Sequence, residues 1–249
     1  MPSYFKKIIG SFRSRRLPWR VRIGLCFLKG FAKNPRKALH YGKGITVEMG
    51  TLMRFNLHIH GRDFVRDFLE ESTKLGIKPF FLWGTLLGCI RENGFIDHDG
   101  DLDFGILEAD YPKKDMLIKA MLKRGYRLRH DMPYQFSFEL KDQLLNLDID
   151  VLYRHQDMLV NCIPLENGAL LANRFPQEAF NELKTIEFGG IPCVWVPGNP
   201  EVVLDATYGN WRVTQKDYHY TTGPTSKISD PKSLGIGPGN LPWSEFKIN

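Results

Sequence analysis

The sequence lacks three features that would place it in well-defined classes of protein. It has no run of about 18 apolar residues, the length that spans a bilayer, so an integral membrane protein is not expected. Its four cysteines include no C-x-x-C pair and are too sparse for a disulfide scaffold or a zinc cage, which predicts reduced thiols in the cytoplasm. Negative charge is missing from residues 1–47, which hold twelve Lys or Arg and no Asp or Glu.

This basic N-terminal arm, residues 1–47, contrasts with the rest of the chain, which is net acidic although the overall charge is +6. Phe5, Ile8, Ile9 and Phe12 follow helical spacing, so the arm is predicted to form an amphipathic helix on an anionic membrane surface. Packing of the arm on the domain is the alternative. No nucleic-acid partner is expected, because the remainder is acidic and carries no nucleic-acid motif.

The arm does not resemble a cleavable signal peptide, because Arg20 and Arg22 interrupt any apolar stretch. The expected location is therefore cytoplasmic, peripheral at the inner face of a membrane. The remaining length suits a catalytic domain over residues 48–220, followed by an irregular Pro/Gly/Ser-rich tail, residues 221–249.

Helical and strand patterns alternate along the domain, which predicts an α/β (α+β) fold with a mixed sheet flanked by helices. The predicted helices cover residues 62–75, 85–92, 112–124 and 199–208. The predicted strands cover residues 78–83, 101–107, 126–130, 135–140, 145–153, 185–188 and 192–196, the last two joined by a Gly189-Gly190 hairpin turn.

Two predicted strands carry aspartates in alternation with apolar residues. Asp101 and Asp103 share one face of the first, where mutual repulsion calls for a cation such as Mg²⁺ or Mn²⁺. Asp148 and Asp150 share one face of the second. If the strands are neighbours, a third carboxylate reaches the same ion; we assign that role to Asp150 and interpret Asp148 as a solvated strand residue.

A possible phosphate site precedes the aspartates. A buried strand ends at Gly84-Thr85 and leads into a helix, whose N-terminal amides and hydroxyl would hold a phosphate while Gly84 allows close approach. Arg91, at the end of that helix, supplies a fixed positive charge for phosphate oxygens or, alternatively, caps the helix. A Gly-Thr turn, a D-x-D strand and a carboxylate on an adjacent strand together describe the nucleotidyltransferase fold.

Three consecutive blocks carry a specific pattern. They are Phe81-Leu82-Trp83-Gly84-Thr85-Leu86-Leu87-Gly88-Cys89-Ile90-Arg91, then Gly94-Phe95-Ile96, then Asp99-Gly100-Asp101-Leu102-Asp103-Phe104-Gly105-Ile106. This pattern resembles the LicD/fukutin family and is closer to its fukutin branch. Asp150-Val151-Leu152 and Tyr208-Gly209-Asn210-Trp211 resemble later blocks of the family. Asp97-His98 stands where LicD members usually carry Pro-Trp, and Gly100 replaces an acidic residue, so Asp99 ranks below Asp101 and Asp103 as an expected metal ligand.

The resemblance implies transfer of a phosphorylated alcohol, such as phosphocholine or ribitol phosphate, from a CDP-linked donor to a hydroxyl of a cell-surface glycan, free or lipid-linked, with release of CMP. It implies that Asp101 and Asp103 hold Mg²⁺ or Mn²⁺, and that Gly84, Thr85 and Arg91 contact phosphate. Asp150 then either ligates the ion or takes the proton of the acceptor hydroxyl.

Two other functions remain open from the sequence. A metal-dependent glycosyltransferase could use the D-x-D pair to bind a nucleotide sugar, although the residues before the motif are too few for the usual nucleotide-binding half. A calcium-binding loop is more remote: Glu108 falls at the twelfth place counted from Asp97, but Leu102 occupies the sixth place, where such a loop needs glycine.

Overall fold

The computed structural model describes residues 49–140, 143–164, 170–214 and 226–229. The helices are α1 (Met49–Lys74), α2 (Trp83–Glu92), α3 (Lys114–Lys123) and α4 (Pro200–Tyr208), with two short 3₁₀ helices at Glu108–Lys113 and Gln177–Phe180. The strands are β1 (Phe80–Phe81), β2 (Leu102–Leu107), β3 (Arg127–Asp131), β4 (Gln135–Leu140), β5 (Leu145–His155), β6 (Met158–Pro164), β7 (Leu170–Pro176), β8 (Leu183–Phe188), β9 (Ile191–Pro197) and β10 (Ser226–Ser229).

These strands form one mixed sheet in the order β10-β7-β6-β5-β2-β1-β9-β8. β5 is the longest strand: β2 and β4 flank its first part, its last residues pair with β6, and β3 pairs with the outer edge of β4. The β2–β5 and β1–β9 pairs are parallel. The connection from β2 to β5 contains α3, β3 and β4, which is the kind of crossover that parallel neighbours require.

A single hydrophobic core holds the sheet and helices together. α1 contributes Leu57, Phe64 and Phe68, and Phe68 packs 4.8 Å from the ring centre of Phe104 in β2. Leu102, Phe104 and Ile106 are fully buried, as are Leu147, Ile149 and Val151 in β5. Because side chains alternate along a strand, the aspartates between these residues must lie on the opposite face of the sheet.

The predicted α/β (α+β) class with a mixed sheet and flanking helices is confirmed, and most predicted elements are present. Four differences stand out. α1 begins at Met49 rather than residue 62, and the strand predicted at 78–83 is reduced to Phe80–Phe81. Residues 108–113 form a 3₁₀ helix ahead of α3, and β6 and β7 were not predicted at all.

The predictions for the basic arm, residues 1–47, lie outside the described residues. The tail predicted to be irregular contains strand β10, which pairs with β7. Among the helices of the described ranges, none is long and apolar enough to cross a membrane.

Candidate active site

The loop between α2 and β2 and the start of β2 bring three carboxylates together. Ligand oxygens of Asp99, Asp101 and Asp103 all lie within 4.8 Å of one another, and each of these residues is half-buried. Asp99 also accepts a hydrogen bond from the backbone N–H of Gly100 at 2.9 Å. Three oxygen donors at this separation fit a hard divalent cation, which could be held here in agreement with the expected Asp101–Asp103 pair. The group contains Asp99, which the sequence analysis ranked below the other two.

Gly84 leaves the space that the Asp99 carboxylate occupies. It lies in the first turn of α2, and a Cβ atom there would come within 2.3 Å of an Asp99 carboxylate oxygen. Any other residue at position 84 would therefore displace Asp99. The Asp99 carboxylate thus lies against the start of α2, the place where the sequence analysis expects a phosphate, and Gly84 lines the same cavity as all three aspartates.

Burial and mutual repulsion raise the pKa values of these carboxyl groups. Burial, reinforced by Asp101, raises the pKa of Asp99 to about 8. Burial and the charges of Asp101, Asp99, Asp148 and Asp150 raise the pKa of Asp103 well above its ordinary value. The uncompensated cluster therefore favours protonated carboxyls, and a bound divalent cation would favour the ionised forms instead.

The register of the parallel pair β2–β5 decides which aspartate of β5 stands beside the cluster. Asp148 is the direct partner of Asp103, whereas Asp150 is paired with Gly105. Asp148 is half-buried and accepts a hydrogen bond from the Ser137 hydroxyl of β4. The sequence analysis interpreted Asp148 as a solvated strand residue; the structure places it on the face that carries Asp101, Asp103, Asp148 and Asp150, hereafter the carboxylate face.

Asp150 lies on the same face but deeper, with a side chain only 2% exposed. Its carboxylate accepts hydrogen bonds from the Trp83 indole N–H at 2.6 Å and from the Gln135 amide at 2.9 Å. Burial raises the pKa of Asp150 to about 7, although these hydrogen bonds oppose the rise. It is outside the group of three converging carboxylates, yet its charge acts on Asp103.

Trp83 is positioned by an uncommon backbone conformation. Its φ of +46° lies in the left-handed region, which a bulky non-glycine residue rarely adopts. The ring packs edge-on against Phe175 of β7, with centroids 5.4 Å apart, while its N–H reaches Asp150. Strain of this kind persists where the surroundings enforce it, often at functional sites.

The structure gives Thr85 and Arg91 protein contacts of their own. Thr85 is buried and its hydroxyl oxygen accepts the backbone N–H of Asp103 at 2.9 Å, so it aligns α2 with the start of β2 and is absent from the cavity lining. Arg91 lines the cavity, but its guanidinium pairs with Glu92 at 2.7 Å and donates to the Trp211 carbonyl at 3.3 Å. Contact of either residue with phosphate remains a prediction.

A cavity of about 410 Å³ opens beside the carboxylates. Its lining combines the carboxylates of Asp99, Asp101 and Asp103 with apolar and aromatic side chains. The latter are Trp83, Leu87, Ile96, Tyr208, Trp211 and Val213. Trp211 is buried, and the Arg212 guanidinium lies 4.1 Å from the centre of its ring. A cavity lined by both acidic and aromatic side chains suits a ligand that joins a charged group to a flat or apolar one.

Together, the mixed sheet, the glycine at the start of α2 and the D-x-D strand define a nucleotidyltransferase-type domain. Residues 76–199 match the family described as LicD/FKTN/FKRP, nucleotidyltransferase domain. The chain therefore carries a nucleotidyltransferase domain of the LicD/fukutin family, and the resemblance seen in its motifs is confirmed.

Similar proteins include bacterial and animal members. An uncharacterized protein of Rickettsia typhi is 31% identical over 152 residues, which cover 59% of this chain and 45% of that protein. Ribitol-5-phosphate transferase FKTN of Mus musculus is 32% identical over 175 residues, covering 66% of this chain and 36% of the mouse protein. The human FKTN of the same name is 28% identical over 163 residues, covering 62% and 34%. The chain thus spans about a third to a half of these relatives.

Among solved structures, that of ANT(2")-Ia in complex with adenylyl-2"-tobramycin is similar at a TM-score of 0.38 and 16% identity, over 54% of this chain and 67% of that one.

Proposed function

We propose that this domain catalyses divalent-metal-dependent transfer of a phosphorylated alcohol from a CDP-linked donor to a glycan hydroxyl, with release of CMP. The observation that carries the proposal is the convergence of Asp99, Asp101 and Asp103 against Gly84, in a cavity that aromatic side chains also line. The names of the FKTN relatives, which describe ribitol-5-phosphate transfer, support the same class of reaction.

Each part of the site has a task in this proposal. Asp101 and Asp103, with Asp99, would hold Mg²⁺ or Mn²⁺, which when bound supplies positive charge to the donor diphosphate. The aromatic side chains that line the cavity would bind the cytosine and ribose. The acceptor oxygen forms the new bond to the distal phosphorus, the bond from that phosphorus to the CMP oxygen breaks, and CMP leaves.

The proton of the acceptor hydroxyl must go to a nearby carboxylate. We keep Asp150 as a site residue, either as a further metal ligand or as the proton acceptor, in line with the expectation from the sequence. Its pKa of about 7 suits proton transfer near neutral pH. Asp148 is the competing candidate, because it is more exposed and stands directly beside Asp103.

The proposed function is tested by incubating the full chain with a panel of CDP-alcohols and glycan acceptors and measuring Mg²⁺-dependent CMP release. UDP- and GDP-sugars are included in the same panel. Formation of CMP together with a phosphodiester on the acceptor is expected. Sugar transfer from a nucleotide sugar, without CMP release from any CDP-alcohol, would show instead that the domain is a glycosyltransferase.

The roles of Asp148 and Asp150 are separated by substituting each with Asn in this assay. If Asp148 accepts the proton, Asp148→Asn should lower kcat by about a hundredfold or more and flatten the acidic limb of the pH–rate profile. Asp150→Asn should then lower kcat less, because the amide oxygen of the new side chain can still accept the hydrogen bond from Trp83. The reverse order, with the pH profile lost in Asp150→Asn alone, would assign the proton to Asp150.

We also propose that the basic arm, residues 1–47, holds the enzyme at an anionic membrane surface, where lipid-linked or surface glycans such as capsule or lipopolysaccharide are assembled. Its twelve Lys or Arg and its apolar stripe support this proposal. Co-sedimentation of the full chain should require anionic lipid in the vesicles and weaken at high salt; equal binding to neutral vesicles would contradict it.

A further inference from the structure

Strand β3 contains an irregularity next to the carboxylate face. Leu128 pairs with Phe138 and His130 with Ser137, so Arg129 is an extra residue with no partner of its own on β4. This is a β-bulge, a device that redirects side chains and is frequent beside active sites. Without it, Arg129 and not His130 would stand opposite Ser137, and the strand would meet the site with a different set of side chains.

The bulge places His130 in contact with the polar groups around the carboxylates. The His130 ring nitrogen Nε2 lies 3.1 Å from the Gln135 side-chain oxygen, and the Gln135 amide donates to Asp150. His130 is also paired in register with Ser137, which donates to Asp148. This end of β3 therefore borders the carboxylate face across β4.

Arg129 differs from the other charged residues of β3 in having no carboxylate partner. Arg127 pairs with Glu139 at 2.9 Å, and Asp131 pairs with Lys114 at 2.6 Å. Arg129 is exposed and makes no hydrogen bond or ion pair with any residue in the described ranges. The charges of Arg127 and Asp131 are thus paired within the protein, and the guanidinium of Arg129 is available to bind a ligand.

The charge of Arg129 also acts on its neighbour in β3. Burial lowers the pKa of His130, and Arg129 lowers it further. Because His130 borders the carboxylate face, the bulge carries the Arg129 guanidinium at the same edge of that face.

The charge balance of the site calls for such a group. Five aspartates act on one another here, and together with a donor diphosphate they carry more negative charge than one divalent cation offsets. Arg91, the cation that lines the cavity, is already bound to Glu92 and to the Trp211 carbonyl. A guanidinium is well suited to a phosphoryl group because it can donate two parallel hydrogen bonds.

We propose that Arg129, presented by the β3 bulge, binds a phosphoryl group of a substrate at the edge of the carboxylate face. This inference rests on the proposed function and adds a residue that recognises a phosphoryl group of the substrate. The phosphoryl group belongs either to the donor diphosphate or to a phosphorylated glycan acceptor. Both have the same chemistry, and the experiment distinguishes them.

The test compares Arg129→Gln with Arg127→Gln, a control on the same strand whose charge is already paired. Calorimetric dissociation constants are measured with Mg²⁺ for two pairs of probes: CDP against cytidine, and glucose 6-phosphate against glucose. In Arg129→Gln, the phosphate-bearing probe should bind about tenfold more weakly or worse, and its phosphate-free partner should bind as in the wild type. Arg129→Lys should recover part of the loss, and melting temperatures confirm that each variant is folded.

A loss confined to CDP places the donor diphosphate at Arg129, and a loss confined to glucose 6-phosphate places an acceptor phosphate there. The inference is overturned if Arg129→Gln binds both phosphates like the wild type, or if Arg127→Gln loses as much. Failure of the proposed function looks different: no CDP-alcohol yields CMP, whatever the phosphate affinities are.

Discussion

Asp101→Asn and Asp103→Asn should each lower Mg²⁺-dependent CMP release by about a thousandfold or more. Asn keeps the size of the side chain but loses its negative charge, so a cation bound among Asp99, Asp101 and Asp103 loses one of its anionic ligands and with it several kcal/mol of transition-state stabilisation. The measurement is CMP release with the donor identified by the panel, together with calorimetric Mn²⁺ binding to the same variants.

The matched control is Asp157→Asn, an exposed aspartate in the β5–β6 turn, which should behave like the wild type. The two site variants should remain folded, because the carboxyl groups that they remove repel their neighbours. Near-wild-type CMP release in either variant, with an unchanged melting temperature, would contradict the metal site.

Without metal, the protein should be less stable at pH 8 than at pH 5. Burial raises the folded-state pKa of Asp99 to about 8 and that of Asp150 to about 7, against roughly 3.9 for an exposed Asp. Between these values the folded chain binds more protons than the unfolded chain, so the free energy of unfolding falls as pH rises from about 4 to about 8. The melting temperature in EDTA should fall by about 5 °C or more across this range.

Mg²⁺ should reverse this loss, because it binds the ionised carboxylates and does so better at pH 8. Thermal melts in EDTA and in Mg²⁺ at both pH values check the prediction, and Asp99→Asn should flatten the dependence on pH. Glu70 and Glu71 act in the opposite direction and only toward the acidic end of the range, because hydrogen bonds from Lys74 and Arg124 lower the pKa of each. A melting temperature that rises from pH 5 to pH 8 in EDTA would contradict the expected repulsion.

Periodicity was sufficient to predict the face of the sheet on which the aspartates lie. In β2 and β5 every second residue is apolar and fully buried, which forces Asp103, Asp148 and Asp150 to the other face. Periodicity does not reveal register, however. Asp148 stands opposite Asp103 because of the register in which β2 and β5 pair. A shift of two residues would keep the apolar side chains on the buried face but would place Asp150 opposite Asp103.

The unpredicted strands β6 and β7 have a related cause. Each carries a buried asparagine, Asn161 or Asn173, where an apolar pattern would need another kind of residue. Asn161 donates to the Tyr134 carbonyl and its side chain also lowers the pKa of Asp150. The residues that interrupt the pattern are therefore the ones that satisfy the buried polar groups of the site, which only the tertiary structure reveals. The same holds for the positive φ of Trp83.

The parallel pairing of β2 with β5 has an evolutionary consequence. The crossover between these strands supplies Arg129, Gln135 and Ser137, and the loop that supplies Asp99 directly precedes β2. The stretch from Gly84 to Asp150 thus encodes the carboxylate face without interruption, as an inheritable unit. Segments before Gly84 and after Asp150 can therefore differ in length and sequence without interrupting the carboxylate face.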